Sequence, residues 1–152
     1  MIAIERASRN DRPAIEALLT SNGLPLAGLE LSEDTTLVAR AGSDGTFVGC
    51  AAIEPHGSAG LLRSVCVVEP ARGSGLGRRL VAEAESLAIA AGVGELFLLT
   101  ETAATWFPRL GYEPVARAAA PAPLTASPEF TGACPESAVL LRKRLTREPP
   151  TA

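Results

Sequence analysis

The chain has 152 residues, of which 47% are hydrophobic and 20% charged, and this is the composition of a globular chain of single-domain size. A net charge of −3 and an aromatic content of 4% argue against nucleic-acid binding, which needs a basic surface or stacking side chains. No apolar run is long enough to span a bilayer and the N-terminus lacks a signal-peptide pattern, so we expect a cytoplasmic protein with no membrane partner. Three scattered cysteines and one histidine predict neither a disulfide framework nor a metal site.

The N-terminal half predicts a strand, a helix and an antiparallel meander. Residues 2–5 alternate as a short strand, and the apolar stripe of Ile15, Leu18 and Leu19 predicts a helix that ends at Asn22-Gly23. Leu24 to Ser32 predicts either a short second helix or a loop over the core. β-Branched and apolar runs separated by glycine-containing turns then predict three strands, at residues 35–41, 46–53 and 61–68, with turns at 42–45 and 56–60.

The C-terminal half predicts a strand–helix–strand crossover followed by shorter elements. A long apolar stripe predicts a helix over about 75–91, and a buried-looking strand follows at 95–100. Beyond it we expect a helix at 102–110, a strand at 112–116, an irregular Ala- and Pro-rich excursion at 117–136, and a last strand at 137–145. The whole pattern predicts a mixed α/β fold with about six to seven strands and three to four helices, in one domain over residues 1–146 with a flexible tail at 147–152.

A glycine-rich turn between the third meander strand and the long helix carries the main chemical signal. Its sequence is Arg72-Gly73-Ser74-Gly75-Leu76-Gly77-Arg78-Arg79. Three glycines allow positive φ angles, so that several backbone N–H groups can face an anion at the positive end of the helix dipole. The Gly-Lys-Ser/Thr ending of a Walker A loop is absent, and Arg78 stands where the dinucleotide-binding fingerprint needs glycine. The turn therefore predicts an anion site of another kind.

These residues resemble the acetyl-CoA motif of the GCN5-related N-acetyltransferases (GNAT), which reads Arg/Gln-x-x-Gly-x-Gly/Ala between a strand and a helix. The segments Val67-x-Glu69-Pro70 and Trp106-Phe107-Pro108-Arg109-Leu110-Gly111-Tyr112 also match family positions, in the same order. The resemblance covers about residues 2–145. It implies a GNAT fold with a splayed strand pair at the cofactor site, acetyl-CoA as cosubstrate, and a small-molecule amine as acceptor.

The resemblance also implies which residues contact acetyl-CoA. Backbone N–H groups of the glycine turn would hold the diphosphate with Arg78 nearby, and the pantetheine arm would pair with the third meander strand. Phe107 stands where many family members have a tyrosine that protonates the leaving thiolate. The cofactor-binding residues implied in this way are Cys66, Val67, Val68, Arg72, Gly73, Ser74, Gly75, Gly77, Arg78 and Phe107.

Candidates for proton transfer are fewer. Glu54 and Glu101 follow strands and could relay a proton through water, and Tyr112 is the only tyrosine available as an acid. His56 is a weaker candidate for the base. For each of them a plain packing or solvated role is the alternative, and direct transfer of the amine proton through water also remains open.

Candidates for acceptor binding are Arg63, Thr100 and Cys134. Arg63 could hold a substrate carboxylate with two hydrogen bonds, and a surface role is its alternative. The residues around Thr100 and Cys134 resemble acetyltransferases associated with arsenic-resistance operons, and this is the subgroup that we expect. The segment from Phe97 to Arg109 resembles the acetyltransferase domain of N-acetylglutamate synthases, which makes an amino-acid acetyltransferase of that type the alternative. Both resemblances imply an amino-acid-like acceptor. Other readings are a coenzyme A-binding sensor without turnover and a thiol-based arsenical-binding module, and the family resemblance also allows a homodimer.

Overall fold

A computed structural model gives one mixed sheet of seven strands, and it describes residues 1–24, 26, 34–101, 103–125, 127 and 138–145. The strands are β1 (Ile2–Arg6), β2 (Thr36–Ala41), β3 (Thr46–His56), β4 (Ala59–Val67), β5 (Glu95–Thr100), β6 (Glu113–Pro114) and β7 (Val139–Arg144). Their order across the sheet is β1-β2-β3-β4-β5-β7-β6, and only the β4–β5 pair is parallel. The predicted mixed sheet, its meander and its strand–helix–strand crossover are confirmed.

Helices cover both faces of the sheet, as the alternation of side chains along the strands requires. The helices are α1 (Arg12–Ser21), α2 (Leu76–Ala90) and the short α3 (Ala122–Thr125). The largest buried cluster packs α2, through Leu80 and Ala84, against residues such as Ile53 and Leu62 of the meander. Two smaller clusters contain α1 with Val38 and Cys50, and Leu124 of α3 with Leu61 and Phe97. No helix among the described residues is long and apolar enough to cross a membrane.

The sheet opens between β4 and β5 because β4 carries an irregularity. The β3–β4 register shifts between Cys50 and Ala52, and Ser64 opposite this shift has a φ of +59°, a left-handed conformation that non-glycine residues seldom adopt. β4 pairs with β5 only over Ala59–Leu61, and the two strands separate beyond that point. The predicted splayed strand pair is therefore present, and the bulge at Ser64 is its local cause.

Several element boundaries differ from the sequence prediction. β3 continues to His56 and β4 begins at Ala59, so the predicted turn at 56–60 is a tighter one, with Gly57 at a φ of +75°. In place of the helix at 102–110, the described residues have turns and a 3-10 helix at Phe107–Leu110, because Pro108 disfavours continuous helix and Gly111 ends the segment at a φ of +97°.

The region after Gly111 also departs from the prediction. The strand predicted at 112–116 shortens to β6, whose Pro114 lacks the N–H that a longer ladder would need. The excursion at 117–136 contains α3 and a 3-10 turn at Arg117–Ala119. Most of the Leu24–Ser32 segment and the tail at 147–152 lie outside the described residues, so the predictions made for them stay predictions.

Candidate active site

The glycine turn opens α2 with the backbone geometry that the sequence predicts. Gly73 and Gly75 have φ angles of +81° and +84°, and Gly75 immediately precedes the first residue of α2. Nothing lies within 4 Å of a Cβ built at either position, so that the turn presents an open backbone face. At Gly77 a Cβ would lie 3.2 Å from the Trp106 ring, and glycine there allows the first turn of α2 to approach that ring. The turn can therefore offer several backbone N–H groups to an anion.

A cleft with a volume of about 530 Å³ lies along this turn. Its polar wall is cationic, because three arginines and no carboxylate are found among the described residues that line it. The described lining residues are Val65, Cys66, Val67, Ala71, Arg72, Gly73, Gly75, Gly77, Arg78, Ala103, Trp106, Phe107, Arg109 and Leu110. The whole chain has a net charge of −3, whereas the cleft wall is locally positive. A positive wall of this kind suits a polyanionic ligand.

A second cleft of about 350 Å³ adjoins the first one at the splay of β4 and β5. The two clefts share a wall that includes Cys66, Val67 and Phe107. The second cleft adds polar groups from three parts of the chain, namely Asn22, Arg63, Ser64 and Thr100. The arrangement is that of a cofactor-sized groove that leads into a smaller polar pocket.

The backbone of β4 has one free side at the splay. Val68 N–H donates to the Val48 carbonyl at 2.9 Å, and the Val68 carbonyl accepts from Ala71 N–H at 3.0 Å. Because successive residues of a strand face opposite sides, Val67 directs its N–H and carbonyl towards the open edge. Of the residues from Cys66 to Val68 that were expected to pair with a pantetheine arm, the geometry therefore favours Val67. Its carbonyl also accepts from the Arg72 side chain, whereas both backbone groups of Val68 are bonded to other backbone groups of the fold.

Arg72 joins the two clefts through its guanidinium. Its Nε donates to the Val67 carbonyl at 3.0 Å and its Nη2 donates to Asn22 Oδ1 at 2.8 Å. The Asn22 amide in turn donates to the Leu18 carbonyl at 2.9 Å, which confirms Asn22 as the C-terminal cap predicted for α1. Arg72 thus links the glycine turn to the end of α1, which forms one side of the second cleft.

Cys66 and Phe107 form the apolar part of the shared wall. Cys66 is 8% exposed, and burial raises the pKa of its thiol against the opposing effects of the Arg72 charge and the Val67 N–H. The Phe107 ring is 7% exposed and packs edge-on against Trp106 and Tyr112, with centroid separations of 4.8 and 5.6 Å. Neither side chain is suited to protonate a leaving group, since the raised pKa makes the Cys66 thiol a weaker acid and the Phe107 ring has no acidic proton.

Glu54 and Arg63 form a buried ion pair behind the second cleft. Arg63 Nη1 donates to Glu54 Oε2 at 2.7 Å, and the side chains of Arg63 and Glu54 are 1% and 17% exposed. The other Glu54 oxygen accepts from Ser127 Oγ at 3.0 Å and lies 3.2 Å from His56 Nε2. Glu54 is absent from the described walls of both clefts. This placement favours a role for Glu54 in holding Arg63 in position over a role as the general base. The expected bidentate clamp is also disfavoured, because the Arg63 guanidinium is already bonded to Glu54.

Tyr112 lies in a different network. Its ring is 2% exposed, its hydroxyl donates to Glu85 Oε2 at 2.9 Å, and Lys143 Nζ lies 3.0 Å from both Glu85 oxygens. Burial raises the pKa of the Tyr112 hydroxyl, and the adjacent Glu85 carboxylate raises it further. Neither described cleft wall includes Tyr112, so the structure does not bring the expected acid to the site.

The remaining expected residues divide into three groups. Thr100 lines the second cleft, where its Oγ1 accepts from Ala103 N–H at 3.0 Å. Ser74 donates to the Ala71 carbonyl at 2.5 Å and stabilises the turn, and Glu101 is exposed at the end of β5. Cys134 lies outside the described residues. No group of three or more metal-binding side chains occurs within the part of the chain that the structure describes.

Replacing Tyr112 with phenylalanine separates a packing role from a catalytic one. We expect Tyr112→Phe to lower the free energy of unfolding by about 1 kcal/mol, because one buried hydrogen bond to Glu85 is lost, and to leave turnover within about twofold. Thermal unfolding and steady-state rates measure the two effects. A loss of turnover on the order of 100-fold with unchanged stability would identify Tyr112 as the acid after all.

The structure adds Asn22, Trp106 and Arg109 to the residues named from the sequence. Trp106 and Arg109 line the larger cleft and Asn22 lines the smaller one. Trp106 and Arg109 belong to the segment from Trp106 to Tyr112 that supports the family resemblance. The sequence therefore indicated that this segment matters, but it did not indicate that these two side chains line the cleft. For Asn22 the sequence indicated only a helix cap. Its hydrogen bond to Arg72 joins residues that are 50 positions apart, and no local pattern predicts such a contact.

A mixed sheet that splays beside a glycine-rich helix start is the architecture of an acetyltransferase. The model of the acetyltransferase (GNAT) domain matches residues 32–114, a little over half of the chain. The chain therefore belongs to the GNAT acetyltransferase family, and the expected fold is confirmed. Its solved structural neighbours agree: N-acetylglutamate synthase from Neisseria gonorrhoeae, complexed with coenzyme A and N-acetyl-glutamate, superposes with a TM-score of 0.80 at 25% identity over 97% of this chain and 36% of that one.

Two further relatives extend this similarity. Rv2747 from Mycobacterium tuberculosis, in complex with CoA, has a TM-score of 0.76 at 22% identity and is covered over 99% of its chain, a likeness that shows the fold. An amino-acid acetyltransferase from Ralstonia nicotianae is 37% identical over 71 residues, which are 45% of this chain and 16% of that protein. The chain thus aligns with only part of the curated relatives that it matches.

Proposed function

We propose that this protein is an acetyl-CoA-dependent N-acetyltransferase that acts on a small, amino-acid-like amine. The observation that carries the proposal is the cationic groove along the glycine turn, which leads into the splay of β4 and β5. The names of the relatives support the acceptor class, since they include an amino-acid acetyltransferase and N-acetylglutamate synthases. Acetyl-CoA supplies an acetyl group on a thioester, whose carbonyl carbon accepts an amine and whose thiolate leaves.

The residues of the larger cleft fit coenzyme A. The open backbone face of Gly73 and Gly75 and the start of α2 suit the diphosphate, while Arg72 and Arg78 add positive charge on the same wall. Val67 presents its N–H on the open edge of β4, and its carbonyl there, which also accepts from Arg72, has a second lone pair, so this edge suits the amides of the pantetheine arm. The turn and Arg78 would hold the anionic end and β4 the amide-containing arm, in keeping with the expected cofactor residues.

The second cleft fits a small polar acceptor. Its volume of about 350 Å³ and its polar groups at Asn22, Ser64 and Thr100 suit an amino acid better than a peptide or a large apolar amine. Arg63 contributes positive charge to this pocket while its pair with Glu54 holds the guanidinium in place. We propose that this charge attracts an acceptor carboxylate without a direct bidentate clamp.

Catalysis in this site would rest on positioning and on backbone donors. Among the described residues that line the two clefts there is no carboxylate, histidine or tyrosine. We assign the donor to the oxygen on which negative charge develops to a backbone N–H of β4 near Cys66, other than the Val67 N–H that would face the pantetheine arm. The amine proton would leave through water, and holding the amine against the thioester would supply most of the rate enhancement.

An amine-acceptor screen tests the proposal. The protein is incubated with acetyl-CoA and single α-amino acids, and free coenzyme A is measured with a thiol reagent against a blank without acceptor. The matched control acceptor is the 2-hydroxy acid of the same carbon skeleton, which has no amine. We expect product with at least one acidic or amide amino acid and none with its hydroxy counterpart. Saturable coenzyme A binding without product from any amine would instead favour a cofactor sensor.

Placing a tyrosine at position 107 tests where this ring faces. Phe107 lines both clefts beside Cys66, so a hydroxyl added there would lie where a leaving thiolate needs a proton. We expect Phe107→Tyr to retain turnover or raise it, by up to about tenfold, with a new decline of rate near pH 10 as the phenol ionises. Phe107→Leu is the matched control and should show no new pH limb. A fall in turnover, or a collapse of the unfolding temperature, would show that the ring is packed away from the thiol.

Four expectations from the sequence remain proposals. The prediction of the arsenic-resistance subgroup depends on the segment around Cys134. We propose an amino-acid acceptor ahead of an arsenical one, because the relatives reported above are named as an amino-acid acetyltransferase and an N-acetylglutamate synthase. A Cys134→Ser variant that still protected cells from organic arsenicals would exclude thiol capture. A single domain over 1–146, a homodimer and a cytoplasmic location likewise stay predictions.

A further inference from the structure

The arginines around the glycine turn differ in their contacts from most of the other arginines that the structure describes. Six arginines elsewhere have a carboxylate oxygen no farther than 3.8 Å away, namely Arg6, Arg12, Arg40, Arg63, Arg142 and Arg144. By contrast, Arg72 and Arg79 donate only to neutral oxygens, those of Val67, Asn22 and Ile2. Arg78 and Arg109 have no side-chain partner anywhere in the described part of the chain. Among the described residues, no carboxylate forms an ion pair with the arginines at the turn, so that positive charge accumulates there.

Arg78 and Arg109 reach the larger cleft from two different elements. Arg78 lies in the first turn of α2 and Arg109 in the 3-10 helix at Phe107–Leu110, and both are exposed residues on the cleft wall. The two elements are in contact, because Gly77, the neighbour of Arg78, lies against the Trp106 ring, and Arg109 N–H donates to the Trp106 carbonyl. Arg78 and Arg109 thus line the same cleft from two elements that contact each other beside the glycine turn.

The proposed cofactor has more anionic groups than the turn alone can neutralise. Its diphosphate suits the backbone N–H groups of Gly73 to Gly77, but coenzyme A also carries a phosphate on the ribose 3′ position, one sugar away from the diphosphate. Guanidinium groups bind phosphate oxygens by charge-assisted, often paired hydrogen bonds. Two unpaired arginines beside a diphosphate site are suited to that third phosphate.

We propose that Arg78 and Arg109 together bind the ribose 3′-phosphate of coenzyme A, so that the protein discriminates coenzyme A from its dephosphorylated form. The inference rests on the proposed function, since it concerns the same cofactor cleft. Arg109 is the decisive residue, because its element does not belong to the glycine turn. Its contribution is to the adenosine end of the cofactor and leaves the chemistry at the thioester unchanged.

The test measures binding instead of turnover. Dissociation constants of coenzyme A and dephospho-coenzyme A, which lacks only the 3′-phosphate, are determined by calorimetry for the wild type, Arg109→Ala, Arg78→Ala and the double variant. Arg9→Ala serves as the matched control, because Arg9 is exposed, is not among the described residues that line the cleft and carries the same charge. Arg109→Lys tests whether charge alone suffices, and the unfolding temperature of each variant verifies that it is folded.

We expect the wild type to bind coenzyme A about tenfold or more tightly than dephospho-coenzyme A at low salt, a preference typical of charge-assisted phosphate contacts. Arg109→Ala should weaken coenzyme A binding about fivefold and leave dephospho-coenzyme A within about twofold, while Arg9→Ala changes neither. Equal weakening of both ligands would overturn the proposal and place the arginines at the diphosphate. Equal wild-type affinity for the two ligands would overturn it as well, with the proposed function intact. Absence of binding to either ligand would overturn both.

Discussion

A carboxylate placed in the glycine turn is expected to abolish cofactor binding while the protein stays folded. Gly75→Asp introduces a negative charge at the residue before α2, among the N–H groups assigned to the diphosphate. At a separation of roughly 5 Å and an effective dielectric constant of about 20, each like-charge pair costs about 3 kcal/mol, which corresponds to a loss of affinity of about 100-fold or more. Calorimetric titration of coenzyme A measures this loss.

Asparagine at the same position provides the matched control. Gly75 has a φ of +84°, which asparagine and aspartate tolerate better than other side chains, and nothing lies within 4 Å of a Cβ built there. Gly75→Asn and Gly75→Asp therefore share the same backbone strain and nearly the same shape, so the difference between them isolates the charge. We expect asparagine to cost less than about tenfold in affinity, because it adds no like charge.

The ligand-free Gly75→Asp protein should be no less stable than Gly75→Asn. A negative charge at the start of a helix interacts favourably with the helix dipole, by roughly 0.3–1 kcal/mol. The same carboxylate therefore stabilises the empty protein and opposes the bound anion. Equal affinity of both variants for coenzyme A would mean that the diphosphate does not lie against this turn.

The part of the site that depends on local sequence was predictable. The positive φ angles of Gly73 and Gly75 and the start of α2 follow from glycine chemistry and from an apolar stripe, both of which act within a few residues. β5 was predicted with its observed bounds, because six consecutive residues with a mostly apolar, buried pattern leave little ambiguity. The position of a possible anion site could therefore be predicted from these local elements without knowledge of the tertiary contacts.

The side-chain partners could not be predicted, because they depend on register and on contacts that are distant in sequence. Tyr112 had the chemistry of an acid, but packing turns its hydroxyl towards Glu85, 27 positions earlier. Arg63 and Glu54 meet because β3 and β4 pair in a hairpin register that sets Ala52 opposite Arg63 and Glu54 opposite Leu61, so that the two side chains are diagonal neighbours on one face. The short turn between His56 and Ala59 sets this register, and the sequence predicted a longer turn, so the roles of these residues followed only from the fold.

Substitution of Glu54 tests whether this residue is the general base or a residue that holds Arg63 in position. A general base typically contributes about 10²–10⁴-fold to the rate, so Glu54→Gln would reduce turnover by at least that lower figure if Glu54 abstracted the amine proton. The structure instead predicts turnover within a few fold of wild type at temperatures well below unfolding, because both Glu54 oxygens are bonded to Arg63 and Ser127.

The large effect of this substitution should appear in stability. Arg63 is a cation whose side chain is 1% exposed, and removing the carboxylate that it contacts costs about 3 kcal/mol, which lowers the unfolding temperature of a domain of this size by roughly 6–12 °C. Arg63→Met should cost less, since the Glu54 side chain is 17% exposed and keeps its bond to Ser127.

The double variant Glu54→Gln/Arg63→Met completes the cycle. It removes both charges and leaves no buried cation without its carboxylate, so it should unfold at a higher temperature than Glu54→Gln alone. Thermal unfolding of the four proteins gives the coupling between the two residues, and strictly additive effects would show that the pair contributes nothing. If the double variant also has a raised KM for an acidic amino acid but not for a neutral amine, the Arg63 charge acts on the acceptor carboxylate, because loss of stability alone would not select between acceptors.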